Sequence, residues 1–468
     1  MMSHDSGINA PGIRSSRRDP AAYAREFADC APPLSATQAV IEAERCYYCF
    51  DAPCTRACPA EIDVPSFIQR VAQGNERGAA EVILRANVLG GTCSRVCPTE
   101  TLCEQVCVRN AQDGRPLNIG LLQRHATDHF FATPGKPLFV RAPETGRRVA
   151  VVGAGPAGLT VAHQLAVAGH RIDLFDSRSK AGGLNEYGLA SYKITDDFAA
   201  KEVDWLLSIG GISLHCGKTL GEDFSLSQLR EEYDAVFLGL GLSGVNQLEN
   251  NGAEPEGVCE AVDFIADLRQ CSDLSQLPVG RSVVVIGGGM TAVDAAVQAK
   301  KLGAREVTLV YRRGEAEMKA SEKERQWARE CGVTLRLWAA PKRFEQQNQR
   351  LSGVTFDLMR QGADGLEASG ECFTLAADMV LKAIGQTFDP TPTERAIQLR
   401  QGRIATDDAG RTSLPGVWAG GDCCAGGLDL TVDAVRQGKL AARSIALALA
   451  IPQADAANAT TFKERNHG

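Results

Sequence analysis

Hydrophobic positions follow two different patterns along the chain, and the change comes near residue 148. In PSFIQRVAQGNERGAAEVILRANVLG (65–90), apolar residues recur at i, i+3 and i+4, which predicts two short helices. After residue 148, short continuous apolar runs alternate with glycine turns and helical stretches. The pattern therefore predicts an α/β protein with an all-helical N-terminal domain followed by parallel βαβ units.

Two segments have the order strand, glycine turn, helix, strand. They are RVAVVGAGPAGLTVAHQLAVAGHRIDLFD (148–176) and SVVVIGGGMTAVDAAVQAKKLGAREVTLVYRR (282–313). In each, an apolar strand leads directly into a glycine-rich turn that opens a helix, and such a helix N-terminus binds a dinucleotide pyrophosphate. The sequence thus predicts two Rossmann-like dinucleotide-binding domains.

The first unit carries the full dinucleotide pattern. Gly153, Gly155 and Gly158 fit G-x-G-x-x-G. The first glycine permits the tight turn, the second lets the backbone approach the pyrophosphate, and the third lets the helix pack on the strand. Asp176 ends the second strand, where an acid accepts a hydrogen bond from a ribose hydroxyl.

The second unit lacks the acid. Arg312 and Arg313 follow its second strand, and guanidinium groups pair with a 2′-phosphate that a carboxylate would repel. This favours NADPH over NADH, the alternative being that both arginines are solvated surface charges. The predicted NAD(P)H-binding residues are the glycine turn, the start of its helix and the arginine pair: Gly287, Gly288, Gly289, Met290, Thr291, Arg312 and Arg313.

A C-terminal segment indicates which unit holds flavin. GVWAGGDCCAGGLDLTVDAVRQGKLAARSI (416–445) resembles the second flavin motif of flavoproteins with two dinucleotide-binding domains, where the aspartate bonds the ribityl chain. AGGLNEYGL (181–189) resembles the flavin-proximal loop of the same group. The resemblance implies a discontinuous FAD domain with the nicotinamide domain inserted into it. The FAD-binding residues that it implies are Gly153, Gly155, Pro156, Ala157, Gly158, Asp176, Gly183, Leu184, Gly421, Asp422, Leu430, Thr431 and Val432.

Cysteines are concentrated near the N-terminus, where nine of the sixteen lie in the first 107 residues. CYYCFDAPCTRACP (46–59) and CSRVCPTETLCEQVC (93–107) each contain four cysteines, and each includes a Cys-Pro pair. Zinc sites usually show two C-x2-C pairs or pairs combined with histidines, whereas no histidine lies between residues 5 and 124. Disulfides are disfavoured in a reducing compartment. The pattern favours iron–sulfur clusters, in which a fourth cysteine can serve the other cluster.

Length and composition agree with several globular domains. The chain has 468 residues and a net charge of −7, so two or three domains are expected and nucleic acid is disfavoured as a partner. No apolar run approaches the length of a membrane span, and the polar start lacks a signal peptide, so we expect a cytoplasmic protein with no membrane partner. The predicted segments are a flexible arm (1–35), a helical iron–sulfur domain (36–132), a linker (133–147), an FAD domain (148–260 and 388–452), an NAD(P)H domain (261–387) and a flexible tail (453–468).

Over residues 38–450 this layout resembles the small subunit of glutamate synthase and the N-terminal half of dihydropyrimidine dehydrogenase. The motifs CYYCFDAPCTRACP, GGTCSRVCPTETLCEQVC and LNIGLLQRHATD are most similar to the dihydropyrimidine dehydrogenase branch, including its separate bacterial subunit. The resemblance implies two [4Fe-4S] clusters with crossed ligands. The first would take Cys46, Cys49, Cys54 and Cys107, and the second Cys58, Cys97, Cys103 and Gln123, with Cys93 left out.

The resemblance also implies an activity. The chain would oxidise NAD(P)H through FAD and pass electrons through the clusters to an FMN- and iron–sulfur-containing partner that reduces uracil or thymine, in a heterotetramer with two copies of each. The alternatives are a glutamate synthase small subunit or a related NAD(P)H:acceptor oxidoreductase subunit and, from another class, a scaffold with purely structural metal sites. No catalytic side chain is predicted, because the cofactors carry the chemistry. Asp294 matches an aspartate frequent in the family, with a packing or capping role as the alternative.

Overall fold

A computed structural model of the chain describes residues 18–248, 254–363 and 365–450. The predicted tail (453–468) and the first seventeen residues of the predicted arm lie outside the described residues. The N-terminal part is helical, with a core that includes Phe67, Ile83 and Leu122. Its α-helices are α1 (Pro20–Glu26), α2 (Ala36–Glu44), α3 (Pro53–Ala57), α4 (Val64–Ala72), α5 (Glu76–Ala86), α6 (Gly90–Val96), α7 (Val108–Asp113) and α8 (Ile119–Ala132).

The two helices predicted within 65–90 are α4 and α5. Each starts at a polar N-cap, because the side chains of Asp63 and Asn75 accept hydrogen bonds from backbone N–H groups of the first turn. Phe67 and Ile83 are fully buried on their inner faces, as the i, i+3, i+4 spacing requires.

The segment predicted as an arm is ordered from residue 18, which differs from the expectation. α1 follows the N-cap Asp19, whose side chain accepts the N–H of Ala22, and Pro20 stands at its first position. Tyr23 is buried in the core around the second βαβ unit, and its hydroxyl donates to the Leu302 carbonyl at 3.3 Å. Phe27, at the C-cap of α1, packs against the same core. Asp-Pro is a helix-start signal, but the polar sequence around it gave no indication of these contacts.

The first βαβ unit continues into a longer α/β segment. Its elements are β1 (Arg148–Val152), α9 (Pro156–Val167), β2 (Arg171–Asp176), α10 (Leu184–Tyr187), α11 (Phe198–Leu207), β3 (Ile212–Cys216), α12 (Leu226–Glu232), β4 (Ala235–Leu238) and β5 (Gly244–Val245).

The second unit follows, with an antiparallel extension that the sequence analysis did not predict. Its elements are β6 (Val258–Glu260), α13 (Ala261–Gln270), β7 (Ser282–Ile286), α14 (Met290–Leu302), β8 (Glu306–Val310), α15 (Glu322–Glu330), β9 (Thr334–Arg336), β10 (Ala339–Gln347), β11 (Arg350–Gly362), β12 (Gly365–Ala376) and β13 (Met379–Lys382). Strands β10 to β12 form a separate sheet, which buries Val354 and Phe356 against residues of β7, β8 and β13.

The chain then returns to the first sheet through β14 (Gln386–Thr387), β15 (Leu399–Arg400), β16 (Arg403–Ile404), β17 (Val417–Ala419) and α16 (Thr431–Ala450). The first sheet has the parallel order β17-β4-β1-β2-β3, and the second has the order β6-β13-β7-β8-β9. β5 and β14 pair with each other, so the outgoing and returning connections run side by side. The predicted fold class, with one dinucleotide domain inserted into the other, is confirmed.

No helix in the described ranges is both long enough and apolar enough to cross a membrane.

Candidate flavin, nucleotide and iron–sulfur sites

The first glycine turn is too tight for side chains. A Cβ on Gly153 would lie 2.2 Å from the Gly239 carbonyl oxygen, and one on Gly158 would lie 1.9 Å from the Gly153 carbonyl oxygen. At the end of β2, the two carboxylate oxygens of Asp176 accept the N–H groups of Ala154 at 2.7 Å and Arg178 at 2.8 Å. The turn and the predicted ribose acid are therefore held against each other, as a dinucleotide site requires.

The predicted flavin-proximal loop lies on this turn. Gly183 has φ +55°, and a Cβ there would come within 2.7 Å of the Gly155 Cα. Two residues on, the Asn185 side chain accepts a hydrogen bond from the Thr431 hydroxyl at 2.8 Å. Since Thr431 is the first residue of α16, three distant segments of the predicted flavin site meet at one place.

Asp422 lies between β17 and α16 with its carboxylate largely buried. Burial raises its pKa to about 6, helped by the negative charge of Asp429, while the cation of Arg403 opposes the rise. No hydrogen bond to this carboxylate is present among the described residues. A buried acceptor without a protein donor fits the hydroxyls of a ribityl chain.

Two other predicted flavin residues reach the helical domain. Val432 is 3% exposed and belongs to the core formed by α4, α5 and α8, against which Leu430 also packs. The predicted flavin site and the cysteine-rich domain are therefore in direct contact, which no sequence pattern indicated.

The second glycine turn is equally tight at its start and open at its end. A Cβ on Gly287 would lie 2.3 Å from the Ala383 carbonyl oxygen, and one on Gly288 would lie 2.5 Å from the Tyr311 ring. Around Gly289, the N-cap of α14, no atom lies within 4 Å of such a Cβ. This leaves room for a phosphate at the N-terminus of the helix, beside half-buried Met290 and Thr291.

Arg312 and Arg313 are exposed just beyond β8, and neither forms an ion pair within the described residues. Unpaired guanidinium groups at this place fit a 2′-phosphate. The preference for NADPH stays a prediction.

Asp294, on α14, is bonded to the segment just beyond the flavin-proximal loop (181–189). Its carboxylate lies 2.8 Å from the Lys193 amine and accepts the Tyr192 hydroxyl at 3.1 Å. Lys193 also contacts Glu324 at 3.0 Å. Burial alone would lower the pKa of Lys193, but the two carboxylates raise it above its ordinary value. The network ties the two dinucleotide domains together, and Lys193 was not found from the sequence.

Cys46, Cys49, Cys54 and Cys107 line a single cavity. The rest of the lining is mostly apolar and includes Ile68 and Leu117. Burial raises the pKa of Cys54 to about 11 and also raises that of Cys46, so iron binding would have to displace protons from these thiols. The four residues are those that the crossed assignment gives to the first cluster, and a ring of thiols around a cavity fits a [4Fe-4S] cube.

Cys58, Cys97 and Cys103 form a second group. Burial raises the pKa of Cys97 well above its ordinary value, and the neighbouring charges of Cys93, Cys103 and Cys58 add to the rise. In the described part of the chain, no three His, Cys, Asp or Glu side chains converge closely enough to hold a single metal ion. All sixteen cysteines are free thiols in the structure.

Gln123 is buried in the middle of α8, facing α6. Its amide nitrogen donates to the Gly90 carbonyl at 2.7 Å, and no described donor bonds its side-chain oxygen. The oxygen is therefore the free end of the amide, as a ligand would need. Its place in the second ligand set stays a prediction.

Two family models match the chain. A pyridine nucleotide-disulphide oxidoreductase model matches residues 147–438, and a model described as dihydropyrimidine dehydrogenase domain II, 4Fe-4S cluster, matches residues 23–134. The NAD-dependent dihydropyrimidine dehydrogenase subunit PreT of Escherichia coli K12 is 35% identical over 421 residues, covering 89% of this chain and 96% of its own.

The NADPH glutamate synthase small chain of Escherichia coli K12 is 33% identical over 447 residues, covering 90% of this chain and 93% of its own. Among solved structures, Mycobacterium tuberculosis FprA in complex with NADPH aligns with a TM-score of 0.56 at 19% identity, covering 66% of this chain and 85% of that one, which bears on fold alone.

These matches confirm the predicted cofactor classes, FAD, NAD(P)H and [4Fe-4S] clusters. The chain belongs to the pyridine nucleotide-disulphide oxidoreductase family and, within it, to the NAD(P)H-dependent flavin and iron–sulfur oxidoreductase subunits that include PreT and the glutamate synthase small chain.

Proposed function

We propose that this chain is the electron-input subunit of a dihydropyrimidine dehydrogenase. When bound, FAD supplies hydride acceptance from NAD(P)H, and the two [4Fe-4S] clusters supply one-electron transfer to a partner subunit that carries FMN and its own clusters. The residues of this chain bind and orient these groups. The observation that carries the proposal is the packing of Leu430 and Val432, beside the flavin site, into the core of the cysteine-rich domain.

The nucleotide half of the reaction depends on docking of the two Rossmann-like domains. The bonds of Asp294 with Tyr192 and Lys193 hold α14, the helix that follows the nucleotide turn, against the segment just beyond the flavin-proximal loop. This fixes the approach of the nicotinamide to the flavin, and orientation of this kind accounts for much of the rate of a hydride transfer.

The positions of the two cysteine groups support an order of electron flow. Lys439, on the flavin helix α16, bonds to Ala60, two residues after Cys58, so the second group lies next to the FAD domain. The first group lies beside solvent-exposed aromatic residues, including Phe50, which is fully exposed. Electrons would therefore enter at the cluster of Cys58, Cys97, Cys103 and Gln123, and leave from the other.

Gln123 favours a dihydropyrimidine dehydrogenase subunit over a glutamate synthase small subunit. Glutamate synthase small subunits resemble this chain but typically carry glutamate at this position. A glutamate at 123 would put a carboxylate oxygen against the Gly90 carbonyl oxygen, where the amide donates a hydrogen bond. Two facing acceptors repel, so this backbone is matched to glutamine.

The arginine pair favours NADPH as the electron donor. PreT is named as NAD-dependent and the glutamate synthase relative as NADPH-dependent, so the nucleotide preference differs between these two relatives. The unpaired Arg312 and Arg313 side chains support the second preference for this chain.

The test is purification of the chain together with an FMN-containing pyrimidine-reducing subunit, followed by assay of NADPH and NADH oxidation with and without uracil. We expect uracil-dependent oxidation, faster with NADPH. Oxidation that ignores uracil but requires glutamine and 2-oxoglutarate with an amidotransferase partner would establish the glutamate synthase alternative instead.

A further inference from the structure

Two charged side chains of the FAD domain, one fully buried and one partly buried, contact the helical domain, and each bonds to a different segment of the second cysteine group. The first is Glu202 on α11, which is fully buried. One of its oxygens accepts the N–H of Gly91 at 2.9 Å, and the other accepts the N–H and the hydroxyl of Thr92 at 3.2 and 2.5 Å.

These donors belong to the first turn of α6, where backbone N–H groups have no partner within the helix. Glu202 therefore caps, from another domain, the helix that ends at Val96. Cys97 follows at once, and its N–H bonds back to the Cys93 carbonyl at 2.9 Å. Burial raises the pKa of Glu202 to about 7, while the bonds from Thr92 and Gly91 oppose the rise.

The second side chain is Lys439 on α16. Its amine donates to the carbonyl oxygens of Ala60 at 3.1 Å and Ala86 at 2.7 Å. Ala60 belongs to the turn that follows Cys58, in which the Glu61 N–H bonds to the Cys58 carbonyl at 2.9 Å. Lys439 thus connects the helix that starts at the flavin site with the Cys58 turn.

The first cysteine group has no such contact. Among the described residues, no hydrogen bond joins the FAD domain to the loop 46–54 or to Cys107. Residues of the helical domain alone line that cavity. The segments of the second ligand set, in contrast, form hydrogen bonds with one anionic and one cationic side chain of the FAD domain.

We propose that Glu202 and Lys439 are positioning residues, through which the docked FAD domain shapes the second cluster site and fixes its separation from the flavin. The proposal rests on the proposed function for the identity of the cluster. The charges are complementary: the Lys439 amine places a cation at the turn that follows Cys58, and the Glu202 carboxylate is compensated by three donors of α6. The FAD domain would then set both the occupancy and the redox potential of the cluster that receives electrons from the flavin.

The test compares the full-length variants Glu202→Gln, Lys439→Met and Lys439→Arg. Glu144→Gln and Lys342→Met serve as matched controls, because both residues form ion pairs on the surface and neither belongs to the helical domain. Iron, sulfide and flavin are measured per chain, and the two clusters are followed separately by EPR during a redox titration. Two clusters correspond to about eight iron atoms per chain.

We expect Lys439→Met and Glu202→Gln to retain flavin and the first-cluster signal but to lose at least half of the second-cluster signal. Any remaining second cluster in Lys439→Met should have a lower midpoint potential, and Lys439→Arg should restore occupancy. Wild-type occupancy and potential in both variants would overturn the proposal, as would an equal loss of both clusters and flavin. A wild-type chain with neither cluster signal would instead refute the proposed function, and this proposal with it.

Discussion

The side-chain amide of Gln123 donates to the carbonyl oxygen of Gly90 at 2.7 Å, which joins the middle of α8 to the first residue of α6. The bond fixes which end of the amide is free. Glutamine can form this bond, whereas the isosteric glutamate, which related proteins carry at this position, cannot donate it.

Substitution of Gln123 should change the second cluster alone. In Gln123→Cys a thiolate replaces a neutral amide, and the added negative charge should lower the midpoint potential. In Gln123→Glu the carboxylate would meet the Gly90 carbonyl, so occupancy should fall as well. EPR-monitored titration measures both, and an unchanged potential in Gln123→Cys would contradict the charge argument.

Single serine substitutions should separate the two clusters. Cys54→Ser removes a lining residue of the cavity shared with Cys46, Cys49 and Cys107, and should abolish the first cluster while sparing the second. Cys58→Ser should do the reverse, although only three residues lie between the two positions. Loss of the same EPR signal in both variants would refute the crossed assignment, and Cys372→Ser, at an exposed thiol, is the control.

Removal of the arginine pair should reverse the nucleotide preference. Each charged hydrogen bond to a 2′-phosphate contributes about 1.5–3 kcal/mol, so Arg312→Gln with Arg313→Gln should raise the KM for NADPH at least about tenfold. The KM for NADH should stay within about twofold. Steady-state assays with an artificial acceptor measure both, and Arg360→Gln, at an exposed ion pair between β11 and β12, should change neither.

FAD affinity should increase with pH through the titration of Asp422. Burial raises the pKa of this carboxyl from 3.8 to about 6. The folded flavin-free chain therefore loses stability as the pH rises from about 4 to about 6. A ribityl hydroxyl would donate to the ionised form and lower that pKa, so FAD should bind more tightly at pH 7.5 than at pH 5. Fluorescence titration measures this, and Asp422→Asn should bind FAD with little dependence on pH.

Loss of Lys193 should slow flavin reduction and destabilise the chain. Lys193→Met leaves the carboxylates of Asp294 and Glu324 largely buried without their cation, at a cost of about 3 kcal/mol. Stopped-flow reduction by NADPH should be slower while the flavin content is unchanged. Reduction at the wild-type rate would show that the contact does not orient the domains, and the surface substitution Lys342→Met is the control.

Local sequence was sufficient for the two nucleotide turns. At Gly153 and Gly158, carbonyl oxygens lie too close for any Cβ. The spacing of the glycines predicts this requirement, because the conflicting atoms are close along the chain or follow the adjacent strand. The two-helix prediction succeeded for the same reason, since α4 and α5 bury residues at helical spacing.

Local sequence was not sufficient for α1. Tyr23 is buried in a distant domain and donates to the Leu302 carbonyl, 279 positions away, and Phe27 packs against the same core. The hairpin sheet of β10 to β12 was not predicted either, because its buried face exists only against the second parallel sheet.

The sequence by itself determined the order of the domains, the cofactor classes and the residue types able to hold them, because each motif is a short run whose members meet within a few turns of chain. The tertiary structure alone decided how the sites are joined. Glu202 and Lys439 show no local pattern, and Lys439 bonds to partners 379 and 353 positions away. Their role follows from the packing of α6, α11 and α16. This packing places both charged side chains against the helical domain, which supplies their hydrogen-bond partners.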